Sequence, residues 1–80
     1  MRLPRDLTGA QLIVALAKLG YMRTRQTGSH VRITCSQPVQ HHVTVPLHDP
    51  LRIGTLAAIL QDVAQAQSLP RDELLIRLFG

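Results

Sequence analysis

At 80 residues, with 45% apolar and only 18% charged side chains, the chain is too short for two domains and too apolar for a disordered tail. Nine Lys and Arg against five Asp and Glu leave a net charge of +4, which favours polyanions without conferring sequence specificity. Tyr21 and Phe79 are the only aromatics, which argues against nucleic-acid recognition on a stacking platform and leaves the core to Leu, Ile, Val and Ala.

Eight of the nine cations are arginines, whose planar fork suits phosphate oxygens. The single Cys35 cannot form an internal disulfide, and on an apolar strand face it reads as a small core residue in a reducing compartment. No apolar run approaches the roughly 18 residues that span a bilayer. Met1 to Thr8 lacks the apolar run and cleavage site of a signal peptide, so the expected location is the cytoplasm.

In chain order, Thr8-Gly9-Ala10-Gln11 matches a capping box with Thr8 as N-cap. Leu12, Ile13, Leu16, Ala17 and Leu19 recur at helical spacing, and Gly20 supplies a left-handed stop, predicting a helix over 9–19. Lys18 falls in its last turn, where the helix dipole favours a cation. A polar strand over 21–26 follows. Val31-Arg32-Ile33-Thr34-Cys35 alternates at period two, so Val31, Ile33 and Cys35 share the buried face, and His30, Arg32 and Thr34 the wet one.

Pro38 marks a loop. A third strand spans 41–45, with Val43 and Val45 inward, His42 and Thr44 outward, and Pro46 as its end. After an irregular connector, Gly54-Thr55 opens a second helix with a Leu56, Ile59, Leu60, Val63 stripe running to about Gln67. Ser68 is the expected N-cap of a last short helix. Pro70 lies in its first turn, two acids follow, and Leu74, Leu75, Leu78 and Phe79 form its apolar side. The expected fold is α+β: a three-stranded antiparallel meander in the order α-β-β-β-α, helices on one face, plus a short C-terminal helix.

The first hairpin has two candidate registers. A Thr27-Gly28 loop sets Arg25 opposite His30 and Arg23 opposite Arg32, whereas a loop ending at Ser29 sets Gln26 opposite His30. The first is preferred because it pairs Met22 and Thr24 with the apolar face. It also juxtaposes two arginines, an arrangement that an anion between them relieves.

Lys18-Leu19-Gly20-Tyr21, then Arg25-Gln26-Thr27-Gly28-Ser29-His30, then Val43-Thr44-Val45-Pro46-Leu47-His48, then Gly54-Thr55-Leu56-Ala57-Ala58-Ile59-Leu60 form an ordered set of short motifs. Together they make the chain resemble the HicA (YcfA-like) toxins of prokaryotic toxin–antitoxin systems, over about 8–67. The resemblance implies a fold like the double-stranded-RNA-binding domain and one HicA-like domain over 1–80, with 68–80 as an extension. It implies an mRNA interferase that needs no metal or other cofactor, with His30 essential, and neutralisation by a HicB-type antitoxin. The chain departs from the usual pattern at Asp49-Pro50, and its C-terminal extension is a candidate surface for the antitoxin or for self-association.

RNA carries its own nucleophile, the 2′-hydroxyl, so cleavage needs a base, an acid and cations for the phosphorane charge. A histidine beside a glycine turn, on a wet face and near arginines, suits the base role because it titrates near neutrality. His30 is the expected base, positioned by Gly28 and Ser29. Arg25 and Arg32, with Arg23 and Lys18, are the expected phosphate ligands. His42 is a secondary candidate for the acid, and His48 is expected to fix the strand-to-helix connector by a side-chain hydrogen bond. The His41-His42-x5-His48 spacing is looser than the paired ligands of zinc sites, so no metal is expected. Two rival readings share this fold: a non-catalytic RNA-binding module, which needs no catalytic histidine, and a protein-pairing domain with incidental RNA affinity.

Overall fold

A computed structural model describes residues 2–80, so the methionine of the Met1–Thr8 segment lies outside it. The order is α1 (Gly9–Ala17), β1 (Met22–Thr27), β2 (His30–Cys35), β3 (His41–Pro46), α2 (Ile53–Gln67) and α3 (Arg71–Phe79). The strands form one antiparallel sheet in the order β1-β2-β3. This is the expected α+β arrangement.

The capping box forms as the sequence indicates. Thr8 Oγ1 accepts from Gln11 N at 3.0 Å, and Gln11 Oε1 accepts from Thr8 N at 3.0 Å. The α1 stripe is Leu12, Ile13, Ala15 and Leu16, while Ala17 is exposed. The helix stops two residues earlier than the spacing predicts, with Lys18 as its C-cap, and Gly20 follows at φ +90°. Lys18 Nζ donates to the Leu78 carbonyl at 2.8 Å, tying α1 to the end of α3.

The two later helices meet at a junction that differs from expectation. Ser68 is not the N-cap of α3; it closes α2 in the left-handed region, at φ +55°. Leu69 N donates to Ala64 O at 3.0 Å and Ser68 N to Gln65 O at 3.2 Å, satisfying the last carbonyls of α2. Pro70 is the residue that caps α3, and Asp72 and Glu73 sit in the first turn, where the dipole favours acids. Leu74, Leu75 and Leu78 are at most 1% exposed. The three leucines of the last helix are therefore part of the core, with Phe79 half-buried at its end.

The core lies between the sheet and the helices. Val31, Ile33, Cys35, Val43 and Val45 join Leu12, Leu16, Leu56, Leu60, Val63 and the three α3 leucines in one buried cluster. Strand β1 stands apart from it: all six of its residues are exposed. Cys35 is buried on the apolar face, as its alternation requires. Among the described residues no helix is long and apolar enough to cross a membrane.

A candidate RNA-cleavage face on the open side of the sheet

The hairpin that delivers His30 adopts neither of the anticipated registers. Thr27 pairs with His30, so the loop is Gly28-Ser29. Gly28 sits at φ +58° and Ser29 keeps a negative φ, the pattern of a two-residue turn that demands glycine in its first position. Glycine followed by serine between two strands is itself a signal for this loop. It favours the observed register over one with Thr27 at the first position.

Upstream of that turn, β1 carries a bulge between Arg23 and Arg25. Arg23 pairs with Ile33, on the apolar side of β2, and Arg25 pairs with Arg32, on its wet side. Strict alternation would put both arginines on one face. The extra residue, Thr24, re-aims Arg25 so that it faces the same way as His30. The juxtaposed arginines are thus Arg25 and Arg32, not Arg23 and Arg32. Met22 pairs with Thr34 and is 72% exposed, so it too belongs to the open face and not to the core.

His30, Arg25, Arg32, Thr27 and Thr44 surround an open depression of about 270 Å³. Thr27 and Thr44 are site residues that the sequence reading left out. Thr44 was legible as outward-facing, but only the pairing of Arg32 with Thr44 sets it beside the arginines. No salt bridge engages Arg25 or Arg32 among the described residues, and none of the three strands contains an Asp or Glu. Two like charges facing each other across a ladder repel. An anion between them converts that repulsion into attraction, and a phosphate presents oxygens that guanidinium forks can grip.

Two backbone hydrogen bonds and one close approach hold this corner. Leu47 N donates to Ser29 O at 2.7 Å, anchoring the turn to the chain leaving β3. Gly9 N donates to His48 O at 2.9 Å, anchoring the same segment to the start of α1. Gly9 is buried, and a Cβ there would run into the Pro46 carbonyl. Pro46 in turn is the β3 partner of His30. His48 therefore fixes the connector through its backbone carbonyl, whereas its exposed side chain makes no hydrogen bond among the described residues.

The remaining candidates lie elsewhere. Arg23 is exposed but paired on the other side of the bulge. Lys18 is held by Leu78 on the helical layer. His42 shares the open face but pairs with Thr34, four residues along β2 from His30, so the two backbone positions are offset by about 13 Å along the strands at the ordinary strand rise. That separation keeps His42 out of reach of a leaving group bound at His30.

His41 points the opposite way and meets a different environment. Its Nδ1 lies 2.7 Å from the Tyr21 hydroxyl and its Nε2 3.2 Å from Asp62 Oδ1, so both ring nitrogens are engaged. The Tyr21 ring meets it edge-on with centroids 5.8 Å apart. Burial pushes the Tyr21 phenol well above its usual range. This cluster closes the far end of the core under β3. Among the described residues no three His, Cys, Asp or Glu side chains gather as metal ligands.

A sequence profile of the family described as the HicA toxin of bacterial toxin–antitoxin systems matches residues 9–64, more than half of the chain. No curated protein and no solved structure matches it. The matched stretch runs from the first residue of α1 to within α2 and takes in all three strands, hence the whole His30 depression. It stops short of α3.

Proposed function

The chain belongs to the HicA toxin family, and from that premise we propose that this toxin is an endoribonuclease that cleaves mRNA in the cytoplasm with His30 as general base. What supports His30 is its company: an exposed imidazole at a glycine turn, flanked by two unpaired arginines on a carboxylate-free face. His30 takes the proton from the 2′-hydroxyl, and the 2′-oxygen forms a new bond to phosphorus as the bond to the 5′-oxygen breaks. Arg25 and Arg32 hold the phosphate and stabilise the charge that accumulates on it. Water supplies the proton to the departing 5′-oxygen, since His42 stands too far away. Because the nucleophile belongs to the substrate, this scheme is complete without a metal.

The toxin's partner is taken to be a HicB-type antitoxin. An open depression at the protein surface is simple to block, and His30 is exposed in it among the described residues. We take α3 to be integral to one HicA-like domain over 1–80, since its three leucines are buried with those of α1 and α2.

The test pairs wild type with His30→Ala in a bacterial host. Growth arrest with new internal mRNA ends in the wild type alone, and with 2′,3′-cyclic phosphate at those ends, is the expected result. Arrest without cuts, or equal effects from both proteins, sinks the nuclease assignment. Cleavage by purified protein in the presence of a chelator tests the metal-free scheme.

A further inference from the structure

We propose that the open face holds a second subsite at the end away from His30, built from His42, Thr34, Thr24 and Met22, which binds a nucleotide flanking the cleaved one. The choice of RNA as its ligand rests on the function proposed above.

His42 Nδ1 lies 2.8 Å from Thr34 Oγ1, Thr34 Oγ1 lies 2.9 Å from Thr24 Oγ1, and Thr24 Oγ1 donates to the Arg32 carbonyl at 3.4 Å. These three contacts need three protons. The two hydroxyls hold only two. The third must come from His42 itself, as an Nδ1–H donating to Thr34. In the neutral ring that leaves Nε2 with a lone pair and no partner among the described residues. An acceptor fixed in this way suits a ligand that donates, and a ribonucleotide offers two such donors: its 2′-hydroxyl and the exocyclic amine of its base.

The surroundings fit a nucleotide. Between the two subsites the face carries Arg25, Arg32 and Thr44, so a backbone leaving the His30 depression crosses cations and no carboxylate. Met22, paired with Thr34 and 72% exposed, offers a polarisable thioether against which a base face can pack. His41 provides the contrast: its two nitrogens are consumed by Tyr21 and Asp62, and it closes the core. The neighbouring imidazole is exposed and half-unsatisfied, held by hydroxyls that serve no other contact than the Arg32 carbonyl.

Binding separates this subsite from catalysis. Fluorescence anisotropy on the non-cleaving His30→Ala protein compares a single-stranded oligoribonucleotide with its all-deoxy counterpart. Adding His42→Ala is expected to weaken RNA binding about three- to tenfold, the worth of one neutral hydrogen bond. His42→Gln, whose amide oxygen can occupy the Nε2 position, is expected to restore most of it. If the 2′-hydroxyl is the donor, His42→Ala narrows the gap between RNA and DNA; if a base amine is, both weaken equally. Unchanged RNA affinity in His42→Ala overturns the subsite even where the wild type cleaves. Affinity that depends on His42 sustains it even where cleavage is never found. A protein that binds neither oligonucleotide overturns both proposals.

Discussion

Along β2, Val31, Ile33 and Cys35 are at most 2% exposed, while His30 and Arg32, the residues between and beside them, lie open to solvent. One side of the sheet meets α1 and α2, on which α3 packs, and makes the core. The other meets no helix among the described residues and collects two arginines, two histidines and a line of threonine hydroxyls. The difference teaches where stability and chemistry reside in a chain this small. Burial of leucine and valine stabilises the fold, and the open face is left free to hold like charges that a stability-driven design would separate. The two sides should therefore respond oppositely to mutation.

The largest effect is expected at His30. Replacing it with alanine should lower cleavage by about 10²- to 10⁴-fold, the usual contribution of a general base, and shift stability by no more than ~0.5 kcal/mol because the side chain is exposed. A urea titration beside the cleavage assay checks both. A large loss of stability would mean that the open face is not independent of the core.

On the buried side, Leu75→Ala should cost about 2–5 kcal/mol in the same titration, the range for a leucine removed from a packed core. The position is informative because α3 lies outside the residues that match the family profile. A cost below 1 kcal/mol in that urea titration would mean that α3 is an appendage after all.

Arg25→Met sharpens the comparison further, since it keeps the aliphatic stem and removes only the charge. RNA affinity should fall about tenfold, and the slope of log affinity against log salt should shrink by about one phosphate contact. Stability should hold or rise by a few tenths of a kcal/mol as the repulsion from Arg32 goes. A drop in stability with no change in salt slope would place Arg25 in a structural role.

The smallest effect is expected at Thr8. Thr8→Ala removes half of the capping box and should cost about 1 kcal/mol. Because Gly9 abuts Pro46, the partner of His30, cleavage measured well below the unfolding midpoint tests whether fraying of α1 reaches the site.

How much of this was legible in the residues depends on the distance over which each feature is decided. The capping box, the stop at Gly20, the alternation of β2, the stripe of α2 and the leucines of α3 are set by neighbours within a turn or a pleat, and reading 3.6- and 2-residue periods recovers them. His30 was legible for the same reason, as the first residue after a glycine turn. The family resemblance was carried by these local motifs in order, and the profile match agrees with it.

What the chain alone left open was every feature that depends on pairing. A bulge at Thr24 turns Arg25 toward His30 and puts Met22 on the open side, and no period announces it. Ser68 reads as the serine that starts the last helix, until the carbonyls of α2 claim the amide protons at and after it. His41 and His42 are neighbours of one residue type, and alternation sends them to opposite faces. That one closes the core between Tyr21 and Asp62, and the other is offset from His30 by about 13 Å along the strands, follows from partners 8 to 21 residues away in the chain. Local sequence determined the elements and the place of His30 directly after the turn. Tertiary pairing decided its neighbours, because strand register is fixed by a shared core and not by the strand itself.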